Sequence, residues 1–167
     1  MTGDPGSCSQ LGGALRSHAA RLLTGREELV ERSRRLRRDV ASAWLADELD
    51  ANLALLDVLV NRLDAGGAAL QRYSQELAEL AESIRRLEAT ASGAGLVLEG
   101  LRIVEPWGVL TTELAEERGR IQPELQRQAD RLASQLGRAR GVAARAMVDA
   151  TSALEVAARS ARLRSLR

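Results

Sequence analysis

The chain has 167 residues, of which 45% are hydrophobic but only 2% aromatic, with no phenylalanine, two tryptophans and one tyrosine. That length suits one domain, or a small domain with a helical arm, and an apolar set drawn from Leu, Ala and Val suits facing helices better than a sheet. A net charge of +1 excludes a strong field towards nucleic acid or membrane, a lone Cys8 excludes an intramolecular disulfide, and no run of 18 uncharged apolar residues is present to span a bilayer.

All 24 basic residues are Arg and none is Lys, a bias read as genomic GC content. Charge is uneven along the chain: +3 over residues 1–44, −6 over 45–100, −1 over 101–135 and +5 over 136–167. An acidic middle is therefore expected to lie against basic flanks, within one chain or between two.

Residues 1–10, "MTGDPGSCSQ", read as a flexible polar tail. From Leu11 an amphipathic stripe runs through Leu15, His18, Leu22, Gly25, Leu29, Leu36 and Val40. Gly25 weakens it, and Thr24 with Glu27 has capping-box spacing, so one helix or two remain open here. Within "RSRRLRR", Arg32, Arg34, Arg35, Arg37 and Arg38 form a basic surface, with Glu28, Glu31 and Asp39 near enough to pair. No aromatic residues are interleaved for base stacking, so this surface is read as solvated or protein-facing, with phosphate binding as the alternative.

The clearest periodicity follows. Leu56, Leu59, Leu63, Gly66, Leu70, Tyr73, Leu77, Leu80, Ile84 and Leu87 step by three and four, a coiled-coil-like heptad seam. Gly66 and Gly67 interrupt its propensity, which predicts a close helix approach, a kink or a break. "ATASGAGL", Ala89 to Leu96, supplies turn residues and a first boundary. Beyond it, residues 98–167 read as a helical extension or a second hairpin, with "EPWG" as a turn, Trp107 closing that turn, and Thr111 or Thr112 capping the next helix. A face from Leu114, Ile121, Leu125, Leu132 and Leu136 to Ala143, Met147, Ala150, Leu154, Ala157 and Ala161 grows poorer in leucine as it proceeds; Pro123 marks a kink or restart, and Gly137 and Gly141 mark weak points.

No chemistry is legible. His18 is the only imidazole and occupies a stripe position, so it is read as a partly buried structural residue, and Cys8 stands at no recognised metal-ligand spacing from it. Glu76, Glu79 and Glu82 lack the Glu-x-x-His pairs of a di-metal bundle, and the glycine-rich stretches lack the Lys and strand of a phosphate loop. An enzyme, a cofactor and a metal are not expected.

Ser42, Ala43, Trp44, Leu45 and Ala46, followed by "DELDANLALLDVLVNRLDAGGAALQRYSQELAEL", resemble the WXG100, or ESX-like, family of type VII secretion substrates over residues 8–92, in the Ala- and Leu-rich style of actinobacterial members. The resemblance implies two helices meeting at a Trp-x-Gly turn, here Trp44 with Ala46 in the glycine's place. It also implies export without a cleavable signal peptide; the family signal, a Tyr followed four residues later by an acid, has Leu77 after Tyr73. The expectation is thus an all-α protein of long antiparallel helices, with residues 11–92 as an ESX-like hairpin. Its function is expected to be non-enzymatic association, with a helical partner or with itself, through the Leu-rich seam. A nucleic-acid-associated helical protein and a cytoplasmic coiled-coil adaptor are the alternatives.

Overall fold

The computed structural model describes residues 4–38, 43–108 and 111–165; the side chains of Ala43, Trp44, Arg164 and Ser165 fall outside the described set. The all-α class holds. Among the described residues there are helices α1 (Pro5–Leu36), α2 (Ala43–Gly93) and α3 (Thr112–Ser165), with a short antiparallel ribbon, β1 (Val97–Glu99) and β2 (Arg102–Val104), between α2 and α3. The expectations for Val40, Asp39, Ser42 and the Trp44 indole lie outside the described residues.

Residues 5–10, expected as tail, are helical. Asp4 caps α1: its carboxylate accepts from the Ser7 N–H at 2.8 Å and the Ser7 hydroxyl at 2.7 Å, with Pro5 in the first turn, where its missing N–H costs nothing. These hydrogen bonds hold the Asp4 carboxyl below its ordinary pKa. A lowered folded pKa means that the cap's contribution is complete above the ordinary carboxylate range and is lost as pH falls through the lowered value. The protection of the Ser7 and Cys8 amides, taken relative to their intrinsic exchange rates at each pH, is accordingly expected to fall on acidification, and Asp4→Asn should abolish that pH dependence while keeping the acceptor.

The chain divides into two compact units, one made of residues 1–74 with 142–167 and the other of residues 75–141. In the first, α1 runs as one helix through Gly25, so Thr24 caps nothing and its hydroxyl bonds back to the Ala20 carbonyl at 3.3 Å. The buried side of α1 is not the expected stripe. It carries Gly12, Ala19 and Ser33, with Leu15, Leu22, Leu29 and Leu36 half-buried, whereas Leu11 and His18 are exposed. The face is rotated by one residue because small residues, not leucines, permit the closest approach. A Cβ added at Gly67 of α2 would lie 2.6 Å from the Gly12 carbonyl oxygen and 2.6 Å from Arg16 Cγ. Of the three outcomes expected at the Gly66–Gly67 pair, close approach is the one observed, and α2 continues unbroken.

In the second unit, α2 ends as the sequence suggests. The Leu96 N–H donates to the Ala91 carbonyl at 2.8 Å and the Gly95 N–H to Ser92 at 2.9 Å, a Schellman termination that places Gly95 at φ +69°. Leu96 then enters a core with Leu87, Ala91, Ile103, Leu125 and Ala129.

The segment after it corrects the expectation of helix. Val97 pairs with Val104, Leu98 with Ile103 and Glu99 with Arg102, across a two-residue turn in which Gly100 has φ +63°. Gly-x between β-branched runs is itself a hairpin signal, overridden in a helix-rich sequence by the surrounding periodicity. α3 secures the ribbon's outer edge: the Ile103 N–H donates to Gln126 Oε1 at 2.8 Å, and Gln122 Nε2 donates to the Ile103 carbonyl at 3.2 Å. α3 begins at Thr112, with the Thr111 carbonyl accepting the Ala115 N–H, and passes through Pro123 as one helix.

Candidate interaction site

The contacts between α1 and the first part of α2 run in opposite chain directions. From the start of α1 onward, the Pro5 carbonyl accepts from Ser74 Oγ at 2.7 Å, Arg16 reaches Gln71 at 3.1 Å and Asp64 at 3.0 Å, Arg26 pairs with Asp57, Ser33 donates to Asp50 at 3.1 Å, and Arg37 pairs with Asp50. Asp50, Asp57, Asp64 and Gln71 recur every seven residues, so one edge of α2 presents an acceptor at each second turn. This ladder is a set of residues the periodicity of apolar positions overlooks; the heptad spacing of the acids was the signal available. It realises, within one unit, part of the expected pairing of acidic middle with basic flank. Asp57 holds the Arg26 guanidinium above its ordinary pKa, by hydrogen bonding first and by charge second.

Ser33 is the buried polar residue of this interface, at 4% exposure. Truncating its acceptor, Asp50→Ala, strands a buried hydroxyl and is expected to cost about 1–3 kcal/mol. Ser33→Ala leaves Asp50 with Arg37 and should cost less than half as much; urea unfolding of both variants measures the difference.

The expected partner seam is placed mostly inside the chain. Leu59, Leu63, Leu70, Tyr73, Leu77, Leu80 and Leu87 are buried and Leu56 and Ile84 half-buried, so in this conformation these residues do not offer a free surface. In the first unit the side of α2 carrying Gly66 meets α3: a Cβ at Gly66 would stand 3.3 Å from Ala150 Cβ and 3.9 Å from Met147 Sδ, and Arg62 pairs with Asp149 at 3.2 Å.

The two tryptophan positions differ from expectation. α2 already includes Trp44 and Ala46, and Ala46 is buried at 1% exposure, so no turn falls at the Trp-x-Ala positions; the connection is residues 37–42. Trp107 anchors no core. Its side chain is fully exposed, and the core of this unit is built from Leu87, Ala91, Leu96, Ile103, Leu125 and Ala129, with Leu98 packed against it.

Arg32, Arg34, Arg35, Arg37 and Arg38 are all exposed, and three are partly neutralised: Arg34 and Arg35 by Glu31, Arg37 by Asp50. His18 stands in solvent and Cys8 is a free, half-buried thiol. Among the described residues no three His, Cys, Asp or Glu side chains gather to hold a metal. The second unit has an open groove of about 410 Å³ lined by Ser83, Arg86, Leu87 and Thr90 of α2 with Gln128, Arg131, Leu132 and Gln135 of α3. It contains no nucleophile paired to a base. Beside it, Arg127 holds the Glu124 carboxyl below its ordinary pKa through hydrogen bonds at 2.5 and 3.1 Å.

No helix among the described residues is long and apolar enough to cross a membrane. No family model matches the sequence, and no curated protein or solved structure matches it significantly.

Proposed function

We propose that this chain is a non-enzymatic helical interaction protein of the type VII secretion kind, acting as a substrate or as the partner of one. The observation that supports the reading is the antiparallel run of contacts from Pro5–Ser74 to Arg37–Asp50, which we read as a helical hairpin of coiled-coil-like spacing between α1 and the first half of α2. The connection at residues 37–42 falls just before Trp44, next to the position where the resemblance puts its bend. Association in this reading is helix-on-helix, steered by the basic 1–44 and 136–167 segments and the acidic middle.

A tagged pull-down from the native organism, with and without nuclease, tests it. Capture of a second small helical protein or a secretion component that survives nuclease is the expected result. Loss of every partner on nuclease treatment, with binding that weakens steeply with salt, moves the function to phosphate binding by Arg32–Arg38. The partial neutralisation of that cluster by Glu31 and Asp50 speaks for the protein-facing reading.

A further inference from the structure

The groove of the second unit brings two arginines to one place without an acid. Arg86 of α2 and Arg131 of α3 line it, and no carboxylate is among its lining residues. The acids nearest to them along each helix are already engaged. Glu82, four residues before Arg86, pairs with Arg85 at 2.6 Å, and Glu124 is held by Arg127 at 2.5 and 3.1 Å. Arg131 acts on Glu124 only through its charge, the smallest of the influences on that carboxyl. At three and four residues from Arg131 stand Arg127, Gln128, Ser134 and Gln135, none of them acidic. Among the described residues neither Arg86 nor Arg131 pairs with a carboxylate, and the hydrogen bond of Arg86 to Ser83 Oγ is 3.5 Å long, the outer limit for such a bond.

The rest of the lining says what answers these charges. Ser83 and Thr90 spend their hydroxyl protons on the Glu79 and Arg86 carbonyls, at 3.0 and 2.9 Å, so they offer no donor. The two guanidinium groups remain, with the Gln135 amide and a Gln128 amide that bonds Glu124 only at 3.5 Å. A carboxylate would neutralise half of the charge. A phosphomonoester, with about −1.5 to −2 at neutral pH and three acceptor oxygens, matches two guanidinium forks. The floor is apolar: Leu87 is a core residue at 4% exposure, and Leu132 packs against the same core. The volume of about 410 Å³ falls within the range of small-molecule sites, roughly 300–1,000 Å³, and leaves room for an organic group beside the phosphate.

We infer that this groove binds a small phosphomonoester, its phosphate across Arg86 and Arg131 and its organic part over Leu87 and Leu132. The site does not depend on the helix-association reading, and it lies in a different unit from the Arg32–Arg38 cluster. The ligand supplies the counter-charge that the chain does not. Because the groove is open to water, its electrostatic part is screened by salt.

The test is a titration of the full-length chain with phenyl phosphate at low salt, followed by calorimetry and by amide nitrogen–proton correlation spectra. The expected result is saturable one-to-one binding that shifts the side-chain amides of Gln128 and Gln135, and that weakens about tenfold in Arg86→Gln and in Arg131→Gln. Both arginines are exposed and hold no ion pair among the described residues, so both variants should keep the wild-type circular dichroism and Tm. Arg102→Gln removes the same charge from the ribbon and should bind as the wild type does. Benzoate binding as tightly as phenyl phosphate would overturn the phosphate assignment, and inorganic phosphate binding as tightly would overturn the part given to Leu87 and Leu132. No saturable response at millimolar phenyl phosphate, or a response that persists in both arginine variants, overturns the site and leaves the pull-down to decide the association reading separately.

Discussion

Gly67→Ala is expected to destabilise the protein by roughly 2 kcal/mol, although Ala is the better helix former by about 1 kcal/mol. The added methyl would sit 2.6 Å from the Gly12 carbonyl oxygen, a backbone atom that cannot swing aside, and 2.6 Å from Arg16 Cγ. The helices must separate, loosening the ladder that includes the Arg16–Asp64 pair. Gly25→Ala supplies the opposite sign: its new methyl meets nothing within 4 Å, so propensity alone should stabilise by about 0.5–1 kcal/mol. Urea unfolding of both variants, at equal m-values, checks the pair. Equal signs would refute close contact between Gly12 and Gly67.

Leu96→Ala should cost about 3 kcal/mol, in the range for a large-to-small change at a buried leucine. Leu96 is 2% exposed, follows the αL glycine that ends α2, and packs with Leu87, Ile103 and Leu125. Its loss undercuts both the helix termination and the ribbon, so amide exchange across residues 97–104 should accelerate with it. Trp107→Ala is the contrast. Removing the larger side chain should change stability by no more than about 0.5 kcal/mol, because the indole is wholly exposed. Thermal unfolding that ranked Trp107 above Leu96 would place the core of this unit elsewhere.

The two corrections behind these experiments share a cause. In α1, Leu15, Leu22, Leu29 and Leu36 serve either of two stripes one residue apart, and counting apolar residues favours the stripe containing Leu11. The interface instead selects Gly12, Ala19 and Ser33, because two helices approach most closely where side chains are smallest. At residues 97–104 the local signal for a ribbon was present in Gly100 and the β-branched residues around it, but three-residue strands are too short for alternation to stand out. The tryptophan at residue 107 invited a core role on composition alone, and burial is not a property of composition.

The candidate surface divides the same way. The leucine seam from Leu59 to Leu87 was legible as the buried face of a helix, since a repeat of three and four lines one side of it. Whether what covers it is a partner's or the chain's own is a matter of connectivity in space, and periodicity is silent on it. Likewise Arg37 read as part of a solvated or protein-facing basic surface until α2 brings Asp50 opposite it, and Arg26 and Arg16, which no spacing singles out, meet Asp57 and Asp64 in the same reverse order.

By itself the sequence determined the all-α class, the end of α2 at the glycines after Ala91, the heptad face of α2 and the lack of any legible catalytic constellation, because each depends on spacing within a few turns of chain. Only the tertiary structure decided which side of α1 is buried, that the heptad leucines are covered within the chain, and that Trp107 is bare. Those depend on how near two distant backbones can come, which Gly12 and Gly67 set jointly and neither announces alone.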